Sequence, residues 1–397
     1  MKSDLELLDR LGLAPFTKQE LSGIFESYRE ELQRGLEGSP SSLAMFRSLL
    51  RPVSLSTVSR GREALVLEVG GTNLYGAKVR VEENGPVILE AHQVQLEKTK
   101  FRDAREFYEV IADKLAPVVS HTSPEALGIV YSFPGKAAET PRGVDVLSDE
   151  KTLTKGFAIP RIGEEGVGQG LMRVLHERHG LSLALPTAVL NDTVAVLFAA
   201  GARLGGVVGT GFNLAVTTPE GIINTESGGF DKAPLNELER LVDRGSDNPG
   251  RQLAEKQISG LYLGKQFEIV LQRLAREGLM SQPVKDSTGA KAISEVLRGR
   301  LWQEKGPRKA AVRLRDRSAQ LVGAMIAAAI ETYPEQFTDS LSEIPVEGSL
   351  FWGMPGYEEK VKEVMAHRLD RKIRFLNIEH AGRIGAAVAA LGFAKVR

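Results

Sequence analysis

Two short glycine-rich turns have the composition of phosphate-binding loops. The first spans Glu68–Asn73 and follows the run ALVLEV, and the second spans Gly206–Asn213 with the sequence GVVGTGFN. Because glycine has no side chain, its backbone amide can approach a phosphate oxygen closely, and neighbouring Thr and Asn side chains add donors. One such turn fits an ordinary β-hairpin equally well. Two of them predict a nucleotide held from both sides, and the lack of a GxxxxGK[ST] motif excludes a P-loop NTPase.

The segments around these turns predict mixed sheets covered by helices. ALVLEVGG, YGAKVRV and PVILEAHQVQL predict consecutive antiparallel strands, and ALGIVYSF and TAVLND predict buried strands. In the second half, VVGTGFNLAV, GIINTE and IPVEGSLFW predict strands, with long helices at 251–276 and 309–333. We expect an α/β protein with two lobes around a central cleft, as in the actin-like ATPase (ribonuclease H-like) fold, although a doubly wound sheet also fits this periodicity.

Helical periodicity dominates the start of the chain. The pattern predicts helix from residue 1 to about residue 60, as a segment docked on the protein rather than a separate domain. Further helices are predicted at 104–119 and 167–178. The predicted small lobe is 62–190 plus 383–397, and the predicted large lobe is 1–61 plus 191–382.

Composition narrows the possible partners. At 397 residues the chain is long enough for two domains. Lys plus Arg and Asp plus Glu each total 51, so no net charge attracts nucleic acid or anionic lipid, and we expect neither as a partner. The lack of cysteine excludes disulfides and thiolate zinc sites, and with no leader-like start it favours the cytoplasm. No apolar run is long enough to cross a membrane.

Seven segments together resemble the hexokinase family, in the order in which that family carries its signatures: LEVGGTN, YSFP, LTKGF, LNDTV, VVGTGFN, INTESGGF and NPGRQLAEKQISGLYLG. The resemblance covers nearly the whole chain. It implies transfer of the γ-phosphoryl group of ATP to the 6-hydroxyl of a hexose, most simply glucose, with Mg²⁺ as the phosphate counter-ion.

The resemblance also implies residue roles on the sugar side. Asp192 matches the catalytic base that accepts the hydroxyl proton, and Lys155 matches a second catalytic and sugar-contacting residue. By position alone, Asp192 would be the N-cap of the helix TVAVLFAAGA, and Glu255 would be a solvated helix residue. The implied hexose contacts are Ser132, Thr154, Lys155, Asn191, Asp192, Asn213, Asn224, Glu226 and Glu255. Amides and carboxylates of this kind suit polyols, whose hydroxyls both donate and accept.

On the nucleotide side, the resemblance implies contacts from both glycine turns and from two later segments. Glu68 is the carboxylate expected near Mg²⁺, without direct coordination. The implied ATP contacts are Gly70, Gly71, Thr72, Asn73, Gly209, Thr210, Gly211, Gly348, Ser349 and Gly385.

Four positions depart from the family pattern. Glu68 stands where an aspartate is usual, Tyr75 replaces an arginine, Arg383 stands where a glycine is expected, and Ser227 replaces a tryptophan. Lys78 is a candidate to replace the cation that is lost at position 75. Since the first three lie on the nucleotide side, the alternative function is a sugar-binding regulatory protein with weak or no transfer activity. The sequence leaves a monomer and a homodimer equally open, and the acidic N-terminal segment argues against a helix-turn-helix repressor.

Overall fold

The computed structural model describes residues 4–53, 57–71, 73–97, 100–120, 123–133, 135–150, 153, 157–281 and 289–393. Two mixed β-sheets organise this part of the chain, and each contains one of the glycine turns. The α/β class predicted from the sequence is therefore confirmed.

The first sheet has seven strands among the described residues, in the spatial order β4-β3-β2-β5-β8-β7-β6. Strands β2, β3 and β4 are antiparallel, as the sequence predicts, while β5, β8 and β7 continue the sheet in parallel from β2. β6 and β7 form an antiparallel hairpin at the edge. The strands are β2 (Glu63–Val69), β3 (Asn73–Glu82), β4 (Gly85–Gln95), β5 (Ala126–Tyr131), β6 (Gly135–Thr140), β7 (Gly143–Ser148) and β8 (Thr187–Leu190).

The second sheet has six strands in the described part of the chain, in the order β1-β11-β10-β9-β12-β13. Its first four strands are antiparallel to one another, and β9, β12 and β13 are parallel. The strands are β1 (Phe46–Arg47), β9 (Leu204–Val208), β10 (Phe212–Thr218), β11 (Gly221–Asn224), β12 (Leu341–Glu347) and β13 (Lys372–Leu376).

Helices cover both sheets. They are α1 (Asp4–Arg10), α2 (Lys18–Leu36), α3 (Ala104–Lys114), α4 (Ala116–Val119), α5 (Val167–His179), α6 (Asp192–Ala200), α7 (Glu237–Arg244), α8 (Leu253–Ile258), α9 (Gly260–Arg276), α10 (Ala290–Leu297), α11 (Lys305–Thr332), α12 (Ser349–Gly353), α13 (Tyr357–Ala366) and α14 (Ala381–Phe393).

Some predicted boundaries are wrong. The N-terminal helical pattern ends at Leu36, and β1 then pairs with β11. The helix predicted at 104–119 is interrupted at Leu115, before Pro117, because proline lacks the amide that would continue the helix. The helix at 251–276 is interrupted at Ser259, and the segment SLFWG is a short helix rather than part of a strand.

Helices α6 and α14 pack against each other beside the first sheet. Gly385 of α14 permits this close approach, because a Cβ atom there would lie 1.7 Å from the carbonyl oxygen of Ala195 in α6. Asp192 is the first residue of α6, and Arg383 is the third residue of α14. This packing therefore brings the N-terminal ends of the two helices near each other. The lobe boundaries at 61/62, 190/191 and 382/383 stay predictions.

Candidate active site

The first glycine turn closes the hairpin between β2 and β3. The amide of Gly70 donates to the carbonyl of Asn73 over 3.2 Å. A Cβ atom at Gly70 would lie only 3.1 Å from that same oxygen, so the tight turn favours glycine. Gly71 is part of this turn, and Thr72 lies outside the described residues.

The second glycine turn joins β9 and β10 and is fixed by neighbouring elements. The amide of Gly209 donates to Gly211 within the turn (3.0 Å), and the first residue of α9, Gly260, donates its amide to the carbonyl of Gly209 (2.8 Å). Gly348 has a φ angle of +133°, and a Cβ atom there would lie 2.2 Å from the carbonyl oxygen of Val208. The predicted nucleoside segment at Gly348 therefore lies directly against this turn.

Asp192 occupies the first turn of α6, where β8 ends. The N-cap is Asn191, whose Oδ1 accepts from the amide of Thr193 (2.9 Å), so the positional interpretation of Asp192 as the N-cap is wrong. Oδ1 of Asp192 also accepts from the Thr193 amide, over 2.7 Å, and from the Thr193 hydroxyl, over 3.2 Å. These bonds orient the Asp192 carboxylate at the start of the helix.

Three predicted hexose contacts form one hydrogen-bonded cluster. Asn213 Nδ2 donates to Asn224 Oδ1 (2.7 Å), and Asn224 Nδ2 donates to Glu226 Oε1 (2.8 Å). The amide of Ser227 donates to Asn213 Oδ1 (3.0 Å). We name these residues, Asn213, Asn224, Glu226 and Ser227, the amide cluster. Because each side chain fixes the next, the cluster holds its remaining donors and acceptors in defined positions for a polyol.

A chain of hydroxyl groups supports the amide cluster from α2. The hydroxyl of Tyr28 lies 2.6 Å from that of Ser227, which lies 2.5 Å from that of Thr225. Thr225 donates to the carbonyl of Leu214 (2.8 Å). Tyr28 is fully buried, and this burial raises the pKa of its phenol to about 12. Tyr28 lies in the segment whose helical periodicity the sequence shows, but that periodicity does not reveal a polar role for its hydroxyl.

Glu255 lies between the second glycine turn and the 3₁₀ turn Ser227–Gly229. A Cβ atom added to Gly211 would lie 3.6 Å from Glu255 Oε1, and one added to Gly228 would lie 3.2 Å from Oε2. The next residue, Lys256, is fully buried and donates to Asp243 Oδ1 (2.6 Å). Since that ion pair anchors α8, Glu255 is held beside the site rather than on a freely solvated helix face. The sequence analysis did not identify Lys256 as a residue that supports the site.

One pocket brings residues of both sheets together. Tyr131 and Phe133 line it from the end of β5, and Asn191, Asn224 and Glu226 line it from the ends of β8 and β11. The amide of Ser132 donates to the carbonyl of Val69 (3.2 Å), which places the predicted contact Ser132 beside the first glycine turn. Thr154 and Lys155 lie outside the described residues.

The predicted nucleotide contacts differ in their surroundings. Thr210 is exposed at the tip of the second turn, and Ser349 is exposed at the start of α12. Gly385 is buried against α6, as described above. Its smallness therefore has a packing reason, and its part in binding ATP stays a prediction.

The three departures on the nucleotide side contact one another. Arg383 Nε lies 2.9 Å from Glu68 Oε2, and the Arg383 guanidinium carbon lies 3.8 Å from the centre of the Tyr75 ring. Glu68 and Tyr75 are directly paired across β2 and β3, in the second-last residue pair before the turn of the hairpin. Lys78 lies three residues after Tyr75, on the opposite face of β3, where it pairs with Glu90 (2.7 Å). Its suggested role in replacing the cation lost at position 75 is therefore wrong.

Glu347 adds a further carboxylate to this region. Although solvent reaches its side chain, surrounding protein raises its pKa, and the negative charges of Glu68 and Asp192 raise it further. The Gly382 amide, which donates to Glu347 Oε2 (3.0 Å), and the Arg383 charge act in the opposite direction. The carboxylates of Glu68, Asp192 and Glu347 therefore influence one another electrostatically.

These carboxylates fit an indirect role toward Mg²⁺. Within the described ranges, no group of three or more His, Cys, Asp or Glu side chains is arranged to hold a metal ion. Mg²⁺ prefers oxygen ligands and retains several waters, so it is commonly bound through substrate phosphates with one or two carboxylates. The residues fit an ion held mainly by phosphate oxygens and water. In the part of the chain described, no helix is both long and apolar enough to cross a membrane.

Comparison with family models accounts for nearly the whole chain. One model described as hexokinase matches residues 12–202, and a second hexokinase model matches residues 203–298 and 307–392. The chain is 27% identical over 446 residues to Hexokinase-2 of Rattus norvegicus, covering 96% of this chain and 47% of that protein. It is 27% identical over 415 residues to the chloroplastic Hexokinase-2 of Nicotiana tabacum, covering 86% of this chain and 81% of that protein. The chain spans about half the length of the mammalian relatives that it matches.

Solved structures show the same architecture. A crystal structure of a hexokinase superposes with a TM-score of 0.80 at 20% identity, covering 98% of this chain and 99% of that one. A hexokinase from Schistosoma mansoni complexed with glucose gives a TM-score of 0.76 at 23% identity, covering 98% of this chain and all of that one (100%). These likenesses confirm the expected two-lobed actin-like ATPase fold.

Proposed function

The chain belongs to the hexokinase family, and from that premise we propose that it transfers the γ-phosphoryl group of ATP to the 6-hydroxyl of a hexose, with glucose as the favoured acceptor. The observation that carries this proposal is that Asn224 and Glu226 of the amide cluster line one pocket together with Asn191, the residue before Asp192. Neutral amides and carboxylates in a fixed network suit the alternating donors and acceptors of a sugar.

On the sugar side, Asn224 and Glu226 bind hexose hydroxyls, with Asn213, Glu255 and Ser132 as further contacts, and Asp192 is the general base. The carboxylate of Asp192 is oriented through Oδ1 by the Thr193 amide and hydroxyl. It accepts the proton of the sugar hydroxyl as that oxygen attacks the γ-phosphorus, and the bond from this phosphorus to the ADP oxygen breaks. The predicted partners Thr154 and Lys155 complete this side.

On the nucleotide side, the two glycine turns hold the ATP phosphates from opposite sides. The amides of glycine turns suit phosphate oxygens, and the contact of Gly348 with the second turn provides an adjoining surface for the nucleoside. Bound Mg²⁺ supplies neutralisation of the phosphate charge. Since the cavity is lined from both sheets, hexose binding between the lobes favours a closed arrangement that excludes water, a competing acceptor.

The experiment that tests this function is ADP release by the purified protein with ATP and Mg²⁺. The acceptors are glucose, mannose, fructose, glucosamine and no sugar, and the product is identified by mass spectrometry. We expect ADP release that depends on glucose, together with a hexose phosphate. Glucose binding without turnover on any sugar would contradict the proposal and favour the sugar-binding regulatory protein. Equal ADP release without sugar would indicate an ATPase instead.

A further inference from the structure

The contact between Glu68, Tyr75 and Arg383 joins two distant parts of the chain. Glu68 and Tyr75 belong to the first hairpin, and Arg383 lies 315 positions after Glu68, in the first turn of α14. The guanidinium lies against the Tyr75 ring, its Nε donates to Glu68, and its Nη1 lies 3.2 Å from His380 Nδ1. The Arg383 side chain is only 14% exposed. Such contacts fix an arginine in one place instead of leaving it to move in solvent.

The fixed guanidinium lies among negative charges. Its Nε donates to Glu68 Oε2 (2.9 Å), and the amide of the preceding residue, Gly382, donates to Glu347 Oε2 (3.0 Å). The negative charges of Glu68 and Asp192 also raise the pKa of Glu347. A polyphosphate that enters this region adds several more negative charges. A local cation is needed to offset that repulsion because the chain as a whole has no net positive charge.

Position 75 does not supply this cation, since tyrosine is neutral, and Lys78 is paired with Glu90 on the opposite face of β3. The Arg383 guanidinium, which comes from α14, lies against Tyr75 of this residue pair. An arginine also presents five N–H donors in a planar fork that matches a phosphate group, and among the described residues the hydrogen bonds of Arg383 are made through Nε and Nη1.

We propose that Arg383 binds the nucleotide phosphates as the cation of the first hairpin, with Glu68 and Tyr75 as the residues that position its guanidinium. This inference rests on the proposed function for the identity of the ligand as a nucleoside polyphosphate. It changes the expected role of Glu68, which acts first as the partner of Arg383 and not as a neighbour of Mg²⁺. The three departures from the family pattern then form one functional unit.

The test is titration of the full chain with ADP by calorimetry, without sugar, in excess EDTA and again in Mg²⁺. We expect Arg383→Gly and Arg383→Gln to weaken ADP binding in EDTA by about ten- to a hundredfold, which is the range for one charge-assisted hydrogen bond. Arg383→Gln retains a helix-forming side chain, so it separates lost affinity from a misfolded α14. Arg374→Gln is the matched control, because Arg374 is also paired with a carboxylate, Glu343, but lies on β13.

Two second changes in the Arg383→Gly background distinguish direct binding from simple neutralisation of Glu68. Tyr75→Arg should restore most of the ADP affinity, because it places a cation at position 75 of the same hairpin. Glu68→Gln should not restore it. The inference is overturned if Glu68→Gln restores ADP affinity or if Tyr75→Arg does not. It is also overturned if both single variants keep the original ADP affinity, or if the unaltered protein binds no ADP.

The outcome also separates this inference from the proposed function. ADP binding that depends on Arg383, in a protein that makes no hexose phosphate, would support the inference and contradict the kinase activity. Hexose phosphate formation with an ADP affinity that is insensitive to Arg383 would contradict the inference and support the kinase activity.

Discussion

The sugar side and the nucleotide side of the site are held together by different interactions. On the sugar side, Asn213, Asn224 and Glu226 are joined by short side-chain hydrogen bonds of 2.7 and 2.8 Å. On the nucleotide side, an ion pair and a cation–π contact join Glu68, Tyr75 and Arg383.

This difference bears on the four positions at which the sequence is expected to depart from the family pattern. In the amide cluster, changing one residue leaves a buried neighbour without a partner, which costs free energy that a single substitution cannot recover. In the charged group, our proposal for Arg383 implies a coordinated exchange, in which Arg383 supplies the cation that Tyr75 does not. The departure predicted within the amide cluster is Ser227, whose hydroxyl lies in the chain of hydroxyl groups from Tyr28 to Thr225.

The largest expected effect belongs to Asp192, which lies where the two sides meet. Asp192→Asn keeps the shape of the side chain but removes its ability to accept a proton. We expect kcat to fall by about a hundredfold or more, with glucose affinity changed little, because a general base acts mainly in the transition state. Steady-state kinetics and glucose titration measure the two quantities.

Asp113→Asn is the matched control for this variant. Asp113 is an exposed α3 carboxylate that pairs with Arg178 (2.7 Å). It should retain the kcat of the unaltered protein. Equal kcat values in the Asp192 and Asp113 variants would remove Asp192 from the mechanism.

The next effect tests the amide cluster as a unit. Asn224 is 5% exposed, and Asn224→Ala deprives both Asn213 and Glu226 of a partner. We expect glucose affinity to fall by about tenfold or more and the free energy of unfolding to fall by about 1–3 kcal/mol. ADP affinity should stay unchanged. The exposed Asn84→Ala serves as control, and a parallel loss of ADP affinity in the Asn224 variant would show that the two sides are not independent.

A smaller effect is expected from the hydroxyl chain behind the cluster. Tyr28→Phe removes one hydrogen bond to Ser227 and should lower the free energy of unfolding by about 1 kcal/mol. The KM for glucose should rise a few-fold while kcat changes little. Tyr108→Phe is a closely matched control, since the hydroxyl of Tyr108 is also buried but has no hydrogen-bond partner in the described part of the chain. Equal stability losses in the two variants would mean that the Tyr28 contact contributes nothing specific.

The smallest effect concerns Glu347 and appears as a pH dependence. Partial desolvation by the surrounding protein and the negative charges of Glu68 and Asp192 raise its pKa in the folded state above the ordinary value of 4.5. The protonated form therefore favours folding, and this stabilisation is present at low pH and is lost as the pH rises through the raised pKa. Glu347→Gln cannot titrate, so the stability of the unaltered protein relative to this variant should decrease as the pH rises past 4.5. Urea unfolding of both proteins at several pH values measures the difference in their free energies of unfolding. A difference that stays constant with pH would contradict the electrostatic coupling.

Much of the fold follows from local sequence patterns. The three antiparallel strands β2, β3 and β4 and the buried strand β5 have clear β-type segments, and both glycine turns lie where the pattern places them. The hairpin of β6 and β7 was missed because β6 has no buried residue among its six, and it therefore lacks the apolar alternation that indicates a strand. The two-residue strand β1 is too short to leave any pattern.

The contacts that complete the site could not be found in this way. Tyr28 and Ser227 are 199 positions apart, and Glu68 and Arg383 are 315 positions apart. Periodicity and motifs describe neighbours along the chain, so they do not reveal which distant side chains meet. Sequence reasoning found all three nucleotide-side departures, but it treated them as separate losses. Their contact became visible only in the folded chain.

The most direct test of the central claim follows phosphorus from ATP to the sugar by ³¹P NMR, with the unaltered protein, Mg²⁺, ATP and glucose in one tube. We predict that a phosphomonoester signal of a hexose 6-phosphate grows in proportion to the loss of the γ-phosphorus of ATP, and that Asp192→Asn stops both changes. ATP that stays intact beside glucose, or a γ-phosphorus that appears only as inorganic phosphate, would contradict the account.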